Sequence, residues 1–81
     1  MDRSEVIRTA GEVFTKVFGR PIELRDSLKA DEVPGWDSFT HVRLIDAIER
    51  RFKIKISVSE IIRLDSVGAL IDTVHSKVQG A

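Results

Sequence analysis

The residues best suited to chemistry lie in the segment Gly35-Trp36-Asp37-Ser38-Phe39, directly before a helical pattern. Asp37 is of the residue type that caps helix starts, and Ser38 would then be the first helical residue. The first turn of a helix has free backbone N–H groups and a partial positive charge, so a hydroxyl there is exposed and suits a phosphate. From spacing alone, however, Asp-Ser at a helix start is first of all a cap.

Other kinds of site find little support in the chain. The absence of cysteine excludes disulfides, thiolate metal sites and cysteine nucleophiles, and two histidines do not suggest a zinc site. A hydrolase built on Ser38 and His41 would lack an evident oxyanion hole, substrate pocket and nucleophile elbow. We therefore predict no catalytic residue, no metal site and a role that is not enzymatic.

Helical periodicity accounts for most of the chain. Apolar residues recur at i, i+3, i+4 spacing over residues 2–18 and 38–52. The same spacing recurs in a last segment, which Asp65 or Ser66 would cap and Gly80 would end. These three segments predict three long helices, each with one buried face.

The connecting segments complete the predicted architecture. Residues 19–37 show no sustained period and read as a long loop held to the core by a few apolar anchors. Residues 53–56 alternate like a strand but are too short, so we interpret them as a linker. Ser57 and Glu60 have capping-box spacing and open a short helix of about residues 58–63. The prediction is an all-α fold, a small four-helix bundle with three long helices, one short helix and a long first loop.

Length and charge restrict the function further. With 81 residues the chain is predicted to be one domain, residues 1–81, and a monomer. Thirteen Lys and Arg balance thirteen Asp and Glu, and Lys77 is the only basic residue of the last helix, which argues against nucleic-acid binding. No apolar run approaches the ~18 residues of a membrane span and no signal peptide is visible. We therefore predict no membrane insertion and a cytoplasmic location.

Three runs of the chain resemble acyl carrier proteins. Residues 37–52, Asp-Ser-Phe-Thr-His-Val-Arg-Leu-Ile-Asp-Ala-Ile-Glu-Arg-Arg-Phe, resemble the carrier motif of that family, in which Asp-Ser-Leu precedes Val, Leu and Ile at fixed steps. Residues 54–57 and 65–71 resemble the passage that follows the motif and the start of the last helix. The resemblance covers nearly the whole chain in order, and it implies the acyl-carrier four-helix fold.

The resemblance also implies a function. In this family the motif serine, here Ser38, is esterified by 4′-phosphopantetheine from coenzyme A, and Asp37 is the motif residue before it. An acyl or aminoacyl cargo then rides as a thioester on the arm. The implied partners are a phosphopantetheinyl transferase, a loading ligase or acyltransferase, and a downstream synthase or transferase. Ile61 and Ile62 lie where the family contacts the acyl chain.

Two departures from the family pattern concern partners. Phe39 replaces the usual Leu, as in some D-alanyl carrier proteins. The family is usually acidic along the second helix, whereas residues 38–53 hold four basic and two acidic residues, a net charge of +2. A partner with a purely basic docking face would fit poorly. We expect a specialised pathway, such as secondary metabolite, surface-polymer or modified-lipid synthesis.

The second helix offers a candidate docking stripe centred on Phe39, about 100° round the helix from Ser38. It consists of Phe39, Arg43, Ala47 and Arg50, an aromatic anchor with nearby arginines. The alternative is a Phe39 folded against the loop, with arginines that are merely solvated. A second function also remains open at this point: an unmodified, carrier-like interaction module that docks through the second helix.

Trp36 and His41 flank the candidate site, and a separate group of apolar residues surrounds the short helix. Trp36 is predicted to pack and anchor the turn before Ser38. His41 is either a half-buried histidine bonded to the loop backbone or a contact for the arm or its cargo. The apolar residues around the short helix are expected to close the end of the core; they are Ile61, Ile62 and Leu64.

Overall fold

The computed structural model describes residues 1–79, which form an all-helical bundle without strands. Its elements are α1 (Arg3–Phe18), a 3₁₀ turn (Ala30–Glu32), α2 (Ser38–Phe52), α3 (Val58–Ile62) and α4 (Val67–Gln79). The predicted fold class, three long helices and one short helix, is confirmed. Gly80, the predicted end of the last helix, lies outside the described residues. None of the four helices is both long and apolar enough to cross a membrane.

The three long helices bury their apolar faces in one core, with α1 lying against both α2 and α4. The side chains without any exposed surface are those of Val6, Ala10, Phe14, Leu44, Ile48, Ile71 and Val74. Burying a side chain of the size of Phe14 or Leu44 contributes roughly 1.5–3 kcal/mol. The helical spacing of these residues is therefore what holds α2, and Ser38 at its start, in place.

Side-chain caps define where α2 and α4 begin. The Asp37 carboxylate accepts a hydrogen bond from the Thr40 backbone N–H at 2.8 Å, as the sequence predicted. Of the two candidate caps for α4, the structure selects Ser66 over Asp65, because the Ser66 Oγ accepts from the Ala69 N–H at 3.2 Å. Each cap satisfies a backbone donor that the first helical turn leaves free.

The end of α2 also fixes the linker to α3. Lys53 adopts a left-handed conformation, with φ of 57°, and its N–H donates to the Glu49 carbonyl. The Glu49 carboxylate accepts from the Ile56 N–H at 2.8 Å, and the Ile56 side chain is buried. The linker is thus held by hydrogen bonds to α2, and the described residues confirm that it is not a strand.

The long first loop is pinned to the bundle. Leu28 and Val33 are buried, which confirms that apolar anchors hold the loop. The N–H groups of Val67 and Gly68 donate to the carbonyls of Leu28 and Asp26, at 2.8 and 3.0 Å. The 3₁₀ turn in this loop was not predicted. Together these contacts fix the path of the chain into α2.

The short helix differs from expectation at its end. Ser57 and Glu60 form the predicted capping box, and the helix ends at Ile62, one residue early. Ile61 and Leu64 pack against the core as expected. Ile62 does not close the core: it is 78% exposed. Ile62 lies about 100° round the helix from Ile61, so the side of α3 that packs Ile61 against the core turns Ile62 away from it.

Candidate functional site

Ser38 is the first residue of α2, and its side chain is exposed. The Asp37 carboxylate already caps the helix, and the hydrogen bond from the Thr40 backbone lowers the pKa of that carboxyl below its ordinary value. Among residues 1–79 nothing forms a hydrogen bond with the Ser38 hydroxyl. The hydroxyl is therefore available to an outside reactant and is not needed to begin the helix.

A groove of about 590 Å³ opens beside Ser38. Three separate segments line it: the long loop, the first turns of α2 and the turn that follows α3. Its lining residues are Ala30, Asp31, Trp36, Asp37, Ser38, His41, Val42 and Leu64. The groove exists only because the loop and the end of α3 both close on the start of α2, which no single stretch of sequence could show.

Trp36 and His41 form a pair inside this groove. The Trp36 Nε1–H donates to His41 Nδ1 at 3.1 Å, and the two rings lie 22° apart with centroids separated by 6.0 Å. Trp36 also meets Phe14 edge-on at 5.5 Å and Phe18 at 5.7 Å. The expected packing role of Trp36 is confirmed.

The expected backbone partner of His41 is wrong. His41 is half-buried as predicted, but its partner is the indole of Trp36 and not the loop backbone. The reason is geometric, because the loop anchors its only indole N–H over the first turn of α2. Partial burial lowers the pKa of His41 below its ordinary value.

The docking stripe predicted on α2 separates into two parts. Phe39 is 75% exposed and is not folded against the loop. Arg43 is exposed and has no ion-pair partner within residues 1–79, whereas Arg50 pairs with Asp46 at 3.2 Å. Ala47 is partly buried against the core. The free cation and the exposed ring are therefore neighbours, one turn apart.

Sequence reasoning missed Val42. This side chain is 68% exposed, lies one turn after Ser38 and lines the groove beside it. The signal was present, since Val42 is three residues from Phe39 and so shares its face. Phe39, Val42 and Arg43 together form what we call the α2 patch.

A second, smaller groove runs between α2 and α3. It has a volume of about 240 Å³, and its lining residues are His41, Val42, Ile45, Asp46, Glu49, Ile56 and Ile61. Of the two residues predicted to contact an acyl chain, Ile61 lines this groove and Ile62 does not. In the described part of the chain no group of His, Asp and Glu residues could hold a metal ion.

Comparison with known proteins agrees with this geometry. A family model described as "Phosphopantetheine attachment site" matches residues 12–74. The solution NMR structure of a holo acyl carrier protein from Geobacter metallireducens matches with a TM-score of 0.88 and 32% identity, over 93% of this chain and 87% of that one. A 67-residue stretch is 36% identical to the nonribosomal peptide synthetase asqK of Emericella nidulans. That stretch is 83% of this chain but spans only 2% of the length of the synthetase.

Proposed function

Because this chain belongs to the phosphopantetheine-attachment family of carrier proteins, we propose that Ser38 bears the arm and that the protein presents acyl or aminoacyl intermediates to a specialised biosynthetic pathway. The chain is a carrier domain of the kind that takes covalent 4′-phosphopantetheine. The observation that supports Ser38 as the attachment residue is its exposed hydroxyl, which makes no hydrogen bond within residues 1–79 and lies at the edge of a groove formed by three segments.

The residues around Ser38 fit such an arm. Trp36, Val42 and Leu64 provide apolar wall along which an extended chain can lie, and Asp31 and His41 add polar groups. When bound, the arm supplies a terminal thiol that holds the cargo as a thioester. The protein itself would position the arm, because α2 fixes the Ser38 hydroxyl and the long loop forms one wall of the groove.

We propose that the chain does no chemistry of its own. The side chain next to the hydroxyl, Asp37, is engaged as the cap of Thr40 and is held ionised by that hydrogen bond. His41 uses Nδ1 to accept from Trp36. A lowered pKa makes Asp37 a weak base, so we propose that the proton that Ser38 loses on modification goes to a base supplied by the modifying enzyme. This division of roles supports a carrier and not an enzyme.

The α2 patch is the proposed docking surface for partner enzymes. An exposed aromatic ring beside an unpaired arginine favours a partner with an apolar pocket and an acidic neighbour. Ala47 and Arg50, which the sequence placed in the same stripe, would lie at its edge, because Ala47 is partly buried and Arg50 is already paired. The proposed partners are a phosphopantetheinyl transferase, a loading ligase or acyltransferase, and a downstream synthase or transferase.

Aminoacyl cargo and secondary metabolism are supported by one relative, the nonribosomal peptide synthetase. Since the chain matches only a small part of that protein, its activity does not transfer directly. The exposed α2 patch would also serve the alternative function, an interaction module in which Ser38 is never modified. Modification status separates the two.

Intact mass spectrometry tests the proposal. The protein is measured before and after incubation with coenzyme A, Mg²⁺ and a broad-specificity phosphopantetheinyl transferase. Ser38→Ala is run with a matched control, Ser4→Ala, because Ser4 is also an exposed serine in the first turn of an Asp-capped helix. We expect one phosphopantetheine on the wild type and on Ser4→Ala, and none on Ser38→Ala.

Each other result has a distinct meaning. A gain on Ser38→Ala would place the attachment elsewhere, and no gain on a well-folded wild type would favour the interaction module. Ser38→Ala should keep the thermal midpoint of the wild type, since Asp37 still caps α2. An unfolded Ser38→Ala would show that Ser38 is structural.

A further inference from the structure

The Trp36–His41 pair has a second consequence for the same site. We infer that His41 binds the phosphodiester that joins Ser38 to its arm, donating a hydrogen bond from Nε2–H, and that Trp36 is the positioning residue that holds the ring for this contact. This role rests on the proposed attachment at Ser38. The His41 Nε2–H would then be a hydrogen-bond donor for the phosphodiester, which is the charged group that the arm brings next to Ser38.

The pairing defines which nitrogen of His41 carries the proton. An indole Nε1–H can only donate, so the Nδ1 atom 3.1 Å away must present its lone pair. In a neutral ring the proton then lies on Nε2. Partial burial, which lowers the pKa of His41, favours this neutral form. The structure thus presents Nε2 as a donor.

The ring of His41 lies on the side of α2 that faces the groove beside Ser38. Side chains on a helix tilt toward its N-terminus, so a ring at position 41 covers the turn before it. The contact with Trp36 shows that the ring does reach back to this turn. Ser38 is three residues earlier, a spacing that puts Cβ atoms roughly 5–6 Å apart, and both residues line the same groove.

The donor is both free and rigidly held. Within residues 1–79 Nε2 of His41 makes no hydrogen bond, and no fully buried polar side-chain atom lacks a partner, so this atom is not fully buried. The indole that orients it is wedged against Phe14 and Phe18. A ring held in place by a hydrogen bond to this indole loses less freedom on binding than a free ring does, which strengthens a contact made at the surface.

The charged side chains that line the cavities around His41 are carboxylates, and none of them bonds to the imidazole ring. Carboxylates line the two grooves and a third, much smaller pocket that the ring also borders; they are Asp31, Asp37, Asp46, Glu49 and Asp65. None hydrogen-bonds to His41, and those of Asp37 and Glu49 accept from the backbone N–H groups of Thr40 and Ile56. A phosphodiester on Ser38 adds a negative charge next to the ring, so loading should raise the pKa of His41.

Phosphorus and nitrogen NMR of the loaded protein test the inference. A phosphodiester does not titrate between about pH 5 and 8, whereas histidine does, so any pH response of its ³¹P resonance reports a neighbouring group. We expect that resonance to move with the titration of His41, in the wild type and in His75→Phe, and to stay flat in His41→Phe. Exchange of the Nε2 proton should slow by about tenfold on loading, as a charge-assisted hydrogen bond requires.

Trp36→Phe isolates the positioning role. It keeps an aromatic ring against Phe14 but removes the donor, so the two neutral tautomers of His41 should mix and the ³¹P response should weaken. Mass spectrometry confirms loading in every sample. A loaded wild type with a flat ³¹P resonance and an unshifted His41 overturns the inference and leaves the proposed function standing. If the wild type is not modified by phosphopantetheine, the proposed attachment at Ser38 is wrong, and the inference about His41 is wrong with it.

Discussion

Gly68 lies directly against the backbone of Asp26. Its N–H donates to the Asp26 carbonyl oxygen at 3.0 Å, and a Cβ atom built on Gly68 would come within 2.8 Å of that same oxygen. The contact joins the first turn of α4 to the long loop that leads into Ser38. Only a residue without a side chain allows the two backbones to approach this closely.

Gly68→Ala should therefore destabilise the protein by about 1–3 kcal/mol, because the clash is with backbone and one of the two segments must shift. Gly11→Ala is the matched control: Gly11 lies inside α1 with nothing within 4 Å of an added Cβ. That change should stabilise by roughly 0.5–1 kcal/mol through helix propensity. Urea denaturation measures both. Equal stability of the two variants would show that the loop does not depend on this approach.

Phe39→Ala should lower kcat/KM for modification of Ser38 by about tenfold or more, as loss of an aromatic anchor in an interface does. Val58→Ala is the control, since Val58 is equally exposed, at 74% against 75%, but lies outside the α2 patch. Neither change should alter the thermal midpoint, because neither side chain is in the core. The rate of mass gain with a phosphopantetheinyl transferase gives the comparison, and equal rates for the two variants would remove Phe39 from the docking surface.

Arg43, which belongs to the α2 patch, should affect the electrostatics of docking more than Arg50, which lies at the edge of that patch. With a transferase whose docking face is basic, like charges repel, so the wild type should be modified faster as salt is raised. Arg43→Gln should speed the reaction at low salt by a few-fold, roughly the effect of one surface charge. Arg50→Gln should change it less, because Arg50 is already paired with Asp46. Equal effects would mean that only net charge matters.

Glu60 should make stability depend on pH in the acid range. Hydrogen bonds from the Ser57 backbone, then Lys77 and the Ser57 hydroxyl, lower the pKa of Glu60 from 4.5 to about 2. A carboxyl with a lowered pKa adds stability above its unfolded value and loses it as the pH falls. The advantage of the wild type over Glu60→Gln should therefore be full above pH 4.5 and fade toward pH 2. Denaturation at several pH values measures it, and a pH-independent difference would contradict the role assigned to the ionised carboxylate.

The local features of this protein were accessible from sequence. The starts of α2 and α3 follow from Asp37 and Ser57, side chains that bond to backbone N–H groups within one turn. The exposed position of Ser38 follows from the same rule. Ile62 was misplaced because a helix of five residues is too short for periodicity to define which of its apolar side chains is buried.

Contacts between distant segments were not accessible in the same way. The hydrogen bond from Trp36 to His41 depends on Phe14 and Phe18, which lie in a different helix and hold the indole in place. The i, i+4 spacing of Asp46 and Arg50 indicates their ion pair. That Arg43 has no ion-pair partner within residues 1–79 could be established only from the positions of all the charged side chains around it.

Local hydrogen bonds and apolar periodicity were thus enough to specify four helices, the caps of α2 and α3, and the serine that begins α2. The groove beside that serine, the orientation of His41 and the fixed path of the loop arise only when segments far apart in the chain pack together. Asp26 meets Gly68, and Leu28 meets Val67, across some forty residues of sequence. Such contacts form because the helices bury a common core, and no spacing rule within one helix encodes them.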